Sequence, residues 1–265
     1  MSENPPILAT VANGVARLTL NRPDKRNALN RATLNALSQE LERCQRDSAV
    51  RAVQLTGAGK IFTAGADLNE MQAQADATEA DNLEHAQVLA RLLAALYAFP
   101  KPTLARVNGD GFGGALGLIA ACDIVVVADD AKFAFTEVRL GLIPAVISPF
   151  VLGKIGESAA LRFFQTAEVF SAAQLQQLGL AHEVVPADGL DYACEALLAE
   201  LLKGAPGAQA EAKKLIREGV NRSSSERPQA AVQLAARLAR LRVLPEAREG
   251  FAAFFDKRKA QWRID

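Results

Sequence analysis

The chain has 265 residues, half of them hydrophobic, and its 30 basic and 30 acidic side chains give a formal net charge of zero. This balance excludes a strongly cationic nucleic-acid-binding surface, and no apolar run approaches the roughly 18 residues of a membrane span. The length favours an α/β core with an appended subdomain. Three widely spaced cysteines and the lack of a signal-peptide pattern predict a cytoplasmic protein with reduced thiols.

The first predicted elements are two strands, Ile7 to Ala12 and Val15 to Leu20, joined by Asn13 and Gly14. Both turn residues tolerate positive φ, so this dipeptide is a strong signal for a tight hairpin. Asn30 is predicted to cap the helix that follows. The apolar stripe of that helix consists of Leu34, Leu37 and Leu41.

A second group of elements surrounds a loop of small residues. A buried strand from Ala52 to Thr56 leads into the loop Lys60 to Leu68, and a helical region begins at Asn69. The polar segment Gln72 to Glu84 has weak periodicity and is predicted to be a mobile loop over a site. A further helix, Gln87 to Phe99, ends where two prolines follow.

A glycine-rich loop follows the next predicted strand, Thr103 to Val107, and precedes a predicted helix, Ala115 to Ala121. Its glycines let the backbone take positive φ and approach another group closely. The helix start supplies unpaired N–H groups with partial positive charge. The loop therefore predicts a site for an anion, either a phosphate or an oxyanion.

The phosphate alternative rests on Gly109, Gly111 and Gly114, which fit G-x-G-x-x-G, with Asp129 in the position of the acidic residue. However, the next strand is predicted to begin at Asp123, which leaves too little chain for an ordinary crossover helix. No later segment resembles a second mononucleotide-binding half. We therefore favour an oxyanion hole, with one backbone N–H from each small-residue loop directed at one carbonyl oxygen.

The rest of the chain becomes progressively helical. The remaining predicted elements are strands Asp123 to Ala128, Lys132 to Phe135 and His182 to Val185, a helix opened by Ile143 and Pro144, and final helices separated by Pro206, Pro228 and Pro245. Strand–helix alternation followed by helices predicts a core over residues 1–190 and a helical C-terminal subdomain over residues 191–265.

Several stretches together carry a family resemblance. They are Leu20 to Leu29, Phe62 to Leu68, Val107 to Gly109 with Gly113 and Gly114, Ala121 to Ile124, Phe135 to Pro144, and Glu249 to Lys259. Through them the chain resembles the enoyl-CoA hydratase/isomerase (crotonase) superfamily nearly end to end. The resemblance implies an α/β fold of ββα repeats in a spiral core, with a helical C-terminal subdomain that mediates oligomerisation. It also implies an acyl-CoA thioester substrate, no cofactor beyond the coenzyme A of that substrate, and a homotrimer or dimer of trimers.

The resemblance also implies roles for individual residues. The backbone N–H groups of Ala64 and Gly114 would form the oxyanion hole, and Glu137 would handle the α-carbon proton. The implied substrate-binding positions are Lys25, Ala28, Ala66, Asp67, Leu68, Gly113, Leu142 and Lys257. Among them, Lys25 would lie near the coenzyme A phosphates together with Arg22 and Arg26, and Lys257 matches the family's C-terminal lysine. No metal-ligand spacing occurs in the sequence.

Some polar residues are interpreted as structural. Asp67 directly precedes a predicted helix, so we expect its carboxylate to act mainly as an N-cap. His85 and His182 have no carboxylate or cysteine cluster nearby in sequence and are predicted to be structural or surface residues.

The chain departs from the family pattern at Gly117, which occupies the position of the family's first glutamate. A single glutamate could hold water and return its proton to the α-carbon on the same face. Alternatively, the chain could be a Δ3/Δ2-enoyl-CoA isomerase in which the single glutamate moves a proton between carbon atoms. A third alternative is a protein that binds CoA thioesters without catalysis. The segment Glu137 to Val151 resembles the methylglutaconyl-CoA and isohexenylglutaconyl-CoA hydratase branch of leucine and acyclic terpene breakdown. We therefore predict hydration of a branched glutaconyl-CoA, although neither Arg91 nor Arg139 is assigned to its distal carboxylate.

Overall fold

The structure is a computed structural model that describes residues 4–219 and 227–264. Its strands are β1 (Ile7–Ala12), β2 (Val15–Leu20), β3 (Ala52–Gly57), β4 (Thr103–Val107), β5 (Gly111–Phe112), β6 (Ile124–Ala128), β7 (Lys132–Ala134), β8 (Phe170–Ser171) and β9 (Glu183–Val185). Its helices are α1 (Arg31–Arg46), α2 (Leu68–Ala75), α3 (Glu79–Ala98), α4 (Gly114–Ala121), α5 (Ser148–Thr166), α6 (Ala172–Gln177), α7 (Leu190–Lys203), α8 (Pro206–Gly219), α9 (Arg227–Arg242) and α10 (Pro245–Phe255). The predicted α/β class is confirmed.

The strands form a large sheet and a small one. The large sheet has the order β1-β2-β3-β4-β6-β9. The β1–β2 pair is the predicted antiparallel hairpin, and the other pairs are parallel. The small sheet has the order β5-β7-β8. Since the carboxyl ends of parallel strands share one edge, the loops after β3 and β4 are brought together there.

Alternating side chains on the large sheet support two hydrophobic layers. Val53 and Leu55 of β3 join the main core with the apolar faces of α1, α3, α4 and α5. On the other face, Leu104 of β4 and Val126 of β6 pack with residues of α7, including Leu198. The sheet is therefore covered on both sides, as parallel sheets require.

Two predicted boundaries are wrong. Most of the expected mobile loop, Gln72 to Glu84, is helical, because Thr78 and Asp81 form a capping box at the start of α3. The helix expected at Ile143 and Pro144 begins only at Ser148, with Pro149 in its first turn. The first error arises because the capping box of α3 fixes a helix start that hydrophobic periodicity does not reveal. The start of α5 has no side-chain cap hydrogen bond at Ile147, so neither periodicity nor a cap residue marks it in the sequence.

The C-terminal part has the predicted helical character, and α8 and α10 begin at Pro206 and Pro245. Within residues 4–219 and 227–264, no helix is both long enough and apolar enough to cross a bilayer.

Asn27 joins the loop after β2 to the loop after β3. This residue is 1% exposed and has a φ of +53°. Its side-chain oxygen accepts a hydrogen bond from the Arg22 N–H, and its side-chain nitrogen donates to the carbonyl oxygens of Ala58 and Ile61. The Thr63 hydroxyl also donates to the Asn27 carbonyl oxygen at 2.7 Å. One side chain thus fixes the relative position of two loops.

We predict that Asn27→Gly lowers the free energy of unfolding by about 2–4 kcal/mol, since three buried hydrogen bonds are lost. Glycine accepts the positive φ, so backbone strain does not contribute. Asn13→Gly is the matched control because Asn13 also has positive φ but lies exposed in the hairpin turn. Urea unfolding followed by circular dichroism at fixed protein concentration measures both. Equal effects of the two substitutions would contradict the role of Asn27.

Candidate active site

The loops after β3 and β4 meet backbone to backbone. The Phe112 N–H donates to the Thr63 carbonyl oxygen at 3.2 Å. A Cβ atom on Gly109 would lie 2.0 Å from the Lys60 carbonyl oxygen, and one on Gly65 would lie 2.5 Å from the Phe112 carbonyl oxygen. Glycine is therefore required at both positions, because a side chain would push the loops apart.

Two backbone N–H groups at this junction, those of Ala66 and Gly114, have no hydrogen-bond acceptor within the described part of the chain. A Cβ atom on Gly65, the residue bonded to Ala66, would lie 3.8 Å from the Gly114 nitrogen, so the two N–H groups are neighbours. Gly114 is also the first residue of α4, at the positive end of the helix dipole. Such a pair can stabilise an oxyanion.

The predicted donor Ala64 is engaged elsewhere, since its N–H donates to the Arg26 carbonyl oxygen at 2.9 Å. Gly65 has a φ of +86°, and the chain turns there so that the N–H groups of Ala64 and Ala66 point in different directions. The free N–H on this loop therefore belongs to Ala66, which the resemblance places only among the substrate contacts. The hydrogen bond to Arg26 argues against the role predicted for Ala64.

The Glu137 carboxyl group lies beside the glycine loop. Glu137 opens a short 3₁₀ turn, Glu137–Leu140, that follows β7. Its Oε1 atom would lie 3.4 Å from a Cβ atom on Gly113, the residue before the Gly114 donor. Its Oε2 atom is buried and has no hydrogen-bond partner among the described residues. A buried carboxyl oxygen without a partner is costly unless a ligand uses it.

Burial raises the pKa of the Glu137 carboxyl above its ordinary value, and its own backbone N–H offsets part of this effect. No cation is among the causes of this shift. The carboxyl is therefore suited to gain and lose a proton during a reaction rather than to remain a fixed anion.

The position of the missing carboxylate is filled by apolar atoms. A Cβ atom on Gly117 would lie 2.5 Å from Ile147 Cγ2 and 2.9 Å from Leu93 Cδ1. Gly117 and both of these neighbours are buried. Ile147 and Leu93 thus occupy the volume that a side chain at position 117 would need.

Apolar side chains also flank the Gly114 donor. A Cβ atom on Gly114 would lie 3.6 Å from Leu29 Cδ1 and 3.7 Å from Leu89 Cδ2. These leucines limit the access of water to one side of the donor, which strengthens the electrostatic effect of its N–H group.

The loop after β2 carries the predicted coenzyme A contacts. Arg22 Nη1 donates to the Ala28 carbonyl oxygen at 2.7 Å and to Asp67 at 2.8 Å. Asp67 also caps α2 by accepting from the Asn69 N–H, which confirms the predicted cap. Lys25 is exposed and has no side-chain hydrogen bond or ion pair within residues 4–219 and 227–264, as is true of Arg26. Arg22 therefore braces the loop, whereas two other cations are open to a ligand.

Three other predicted substrate contacts are exposed. Leu68 opens α2 and Leu142 follows the Glu137 turn, and both are more than half exposed. Lys257 lies in the turn after α10, and the described chain shows no contact between it and the other predicted site residues. Further along, the Trp262 carbonyl oxygen accepts a hydrogen bond from Arg51, which precedes β3 at the edge opposite to the site. The fold thus brings Leu68 and Leu142, but not Lys257, to the loops of its own chain.

Both histidines have structural partners. His85 lies between Glu70 and Gln74, with ring nitrogens 2.8 Å from each. His182 Nδ1 accepts from the Val125 N–H. Across the described ranges, no cluster of three or more His, Cys, Asp or Glu side chains is arranged to hold a metal ion.

Sequence reasoning misses two residues that shape this site. Ile147 lies far along the chain from Gly117, and no spacing rule connects them. Asn27 belongs to a family stretch, and its position three residues before the predicted helix cap Asn30 is a weak signal for a loop role.

The chain is similar to known proteins over nearly its whole length. The family described as Enoyl-CoA hydratase/isomerase matches residues 10–264. The 2,3-dehydroadipyl-CoA hydratase of Escherichia coli is 37% identical over 252 residues, covering 94% of this chain and 95% of that protein. The crystal structure of an enoyl-CoA hydratase from Shewanella pealeana has a TM-score of 0.92 at 40% identity, covering 97% of this chain and 96% of that one.

The structure of an enoyl-CoA hydratase from Mycobacterium smegmatis has a TM-score of 0.89 at 32% identity, with 98% and 99% of the two chains covered. The predicted crotonase-like fold is therefore confirmed. Relatives that span nearly the whole chain share both its sequence and its fold, and the chain belongs to the enoyl-CoA hydratase/isomerase (crotonase) family, as an enzyme of the hydratase, or lyase, type.

Proposed function

We propose that this enzyme adds water across the 2,3 double bond of a branched glutaconyl-CoA thioester, with Glu137 as its single acid/base. The observation that carries the proposal is the buried, unpartnered Glu137 carboxyl beside the free N–H groups of Ala66 and Gly114. A thioester oxygen at those N–H groups places the reacting carbons next to a carboxyl that can move a proton.

The hydration proceeds in two proton transfers. The ionised Glu137 takes a proton from water while the water oxygen bonds to C3, and the C2–C3 electrons move to the thioester oxygen. Ala66 and Gly114 stabilise the resulting enolate through their N–H groups. Glu137, now protonated, gives that proton to C2 on the same face. The overall change is syn addition of one water molecule, and Glu137 returns to its ionised state.

The raised pKa of Glu137 supports both steps. A carboxyl with an ordinary pKa would be a weak base toward water and would rarely be protonated at neutral pH. Desolvation brings its pKa closer to the working pH, where one group can act first as base and then as acid.

The coenzyme A moiety is proposed to lie along the loop after β2. Lys25 and Arg26 would pair with its phosphates, since both are exposed cations. Ala28 and Ala66 are small enough to let the pantetheine approach the backbone. No cofactor beyond the coenzyme A of the substrate is required.

The acyl group is proposed to be 3-methylglutaconyl or isohexenylglutaconyl. The segment Glu137 to Val151 supports this through its resemblance to that branch. The name of the Escherichia coli relative, 2,3-dehydroadipyl-CoA hydratase, describes an acyl group with a second carboxylate. This similarity supports a substrate with a distal carboxylate. A branched carbon chain would find apolar contacts near the glycine loop, where the side chains of Leu89, Leu93 and Ile147 lie.

The enzyme is further proposed to work in the cytoplasm as a homotrimer or a dimer of trimers, built through its C-terminal helices. Phe254 and Phe255 of α10 are at least three-quarters exposed, which is unusual for large apolar side chains. In the same region, the exposed Lys257 has no contact with the predicted site residues among the described part of its own chain, and we propose that a neighbouring copy brings it to a coenzyme A site. The three buried free thiols suit a reducing compartment.

We expect the wild-type enzyme to incorporate ¹⁸O from labelled water into its 3-hydroxyacyl product, and Glu137→Gln to lower kcat by about 10²–10⁴-fold. Mass spectrometry of the product and the loss of enoyl-thioester absorbance measure the two effects. Glu157→Gln is the control because Glu157 is an exposed carboxylate on α5. Conversion without label, to a shifted double bond, would show an isomerase. A Glu137→Gln rate within tenfold of wild type would reject the acid/base assignment.

A second prediction concerns the acyl group. We expect kcat/KM for 3-methylglutaconyl-CoA to exceed that for crotonyl-CoA by about tenfold or more, because the pocket gains contacts to a methyl group and a carboxylate. The unbranched 2,3-dehydroadipyl-CoA separates the effect of the carboxylate from that of the branch. A preference for crotonyl-CoA would overturn the branched substrate while leaving hydration itself intact.

A third prediction tests the packing around Gly117. We expect Gly117→Glu to cost about 3–5 kcal/mol of unfolding free energy, because it inserts a carboxylate into apolar volume held by Ile147 and Leu93. Adding Ile147→Ala should restore about 1 kcal/mol or more, since the two positions are in contact.

Gly153→Glu is the matched control for this test, because Gly153 is exposed on α5 and a Cβ atom there meets nothing within 4 Å. Chemical unfolding of the variants at one protein concentration measures the effects. If Gly117→Glu were as stable as Gly153→Glu, the position would have room for a second carboxylate.

A further inference from the structure

A second cavity lies at the opposite edge of the large sheet from the catalytic loops. It encloses about 510 Å³ between α3, α5 and α8, beside the residues that precede β4 and β6. Its lining combines charged side chains with aromatic and aliphatic ones, namely Lys154, Lys213, Arg217, Asp123, Tyr97 and Phe150. The proposed hydratase reaction uses none of these residues.

Asp123, the carboxylate in the lining, already accepts four hydrogen bonds. One of its oxygens accepts from the Thr103 N–H and hydroxyl at 2.9 and 3.0 Å and from Lys213 at 2.6 Å. Its other oxygen accepts from Arg217 Nη2 at 2.9 Å. Asp123 therefore has little remaining capacity to neutralise a third cation.

Lys154 is that third cation. Its only hydrogen bond in the described chain is a long one, 3.3 Å, to the Cys122 carbonyl oxygen at the end of α4. Burial lowers the pKa of the Lys154 ammonium, and it also lowers that of Lys213. Arg217 Nη1 is buried as well and has no hydrogen-bond partner among the described residues.

The charges in the cavity do not balance. Three cations face one carboxylate and the carboxyl end of α4, which contributes roughly half a negative charge. An excess of roughly one and a half positive charges remains in a partly desolvated space. Such an arrangement is unfavourable unless an anion occupies it.

The walls restrict the kind of anion. The Arg217 guanidinium lies 3.6 Å from the centre of the Tyr97 ring, and that ring packs against Phe150 with centroids 5.4 Å apart. Ile216, also in the lining, is 65% exposed. A ligand with an anionic head and an apolar body would pair with the cations and cover the apolar surfaces. Inorganic phosphate would pair with the cations but leave the apolar side chains exposed to water.

We propose that this cavity is a second ligand site for a small amphipathic carboxylate, whose oxygens accept hydrogen bonds from Lys154 Nζ and Arg217 Nη1. The apolar chain of the ligand packs along Tyr97, Phe150 and Ile216. The site is distinct from the catalytic loops, since it lies beyond the other end of α4. It does not depend on the identity of the acyl substrate.

The test uses hexanoate as the probe and the full-length protein. Isothermal titration is expected to show saturable binding to the wild type and at least about tenfold weaker binding of hexan-1-ol, which lacks the charge. Lys154→Met removes the ammonium group while keeping an unbranched apolar side chain, and it should weaken hexanoate binding by about tenfold or more. Lys132→Met, at an exposed lysine of β7, should leave binding unchanged.

A second measurement locates the ligand. Hexanoate should protect Lys154 from acetylation by acetic anhydride, as read by mass spectrometry, while the exposed Lys132 remains reactive. Circular dichroism establishes that Lys154→Met is folded. The proposal would be overturned if hexanoate did not bind, if it bound equally to Lys154→Met, or if coenzyme A displaced it competitively, which would place it at the catalytic loops.

Discussion

The close contact between two loop backbones is the constraint on which the catalytic arrangement depends. Gly109 and Gly65 lie so near to neighbouring carbonyl oxygens that neither position can carry a side chain. This contact brings the Ala66 and Gly114 N–H groups to one place and leaves both without an acceptor in the described chain. Asn27, in the loop after β2, supports this contact by donating two side-chain hydrogen bonds to the loop after β3. The proposed oxyanion site is thus made of backbone, and its glycines are required by packing rather than by flexibility.

The single carboxyl of the site also follows from packing. Glu137 lies next to Gly113 because it opens the turn that follows β7, and burial raises the pKa of its carboxyl group. The place of a second carboxylate is held by Ile147 and Leu93, which would clash with a side chain at position 117. The presence of one buried carboxyl group beside two backbone N–H groups without acceptors is therefore a property of the whole local core, as far as the described residues show. A change of mechanism would require repacking several residues, because interiors tolerate little extra volume.

Sequence reasoning predicts the elements well where the signal is local. The hairpin around Asn13 and Gly14, the cap at Asn30 and the strand before the glycine loop depend on near neighbours and are confirmed. It fails where the signal is non-local or conflicting. The polar stretch Gln72 to Glu84 is mostly helical, since it contains the end of α2 and the capped start of α3. The Ala64 N–H donates to the carbonyl oxygen of Arg26, a residue on another loop. Likewise, the contact between Gly117 and Ile147 depends on how α4 and the start of α5 pack together. The hydrophobic periodicity of the sequence does not predict that packing.

The short helix α4 connects the two charged regions of the molecule. Its amino end supplies the Gly114 N–H, and its carboxyl end lies at Cys122, whose carbonyl oxygen accepts from Lys154. The helix dipole stabilises positive charge near the carboxyl end of α4, and it would stabilise the proposed enolate near the amino end. All of its residues after Gly114 are buried, so the helix has no solvent-facing side that would let it tilt freely. Because α4 is only about 12 Å long, cations at one end change the electrostatic potential at the other end, and little water lies between to screen the effect. The buried helix therefore places the oxyanion donor and the cationic cavity within one rigid unit of the core.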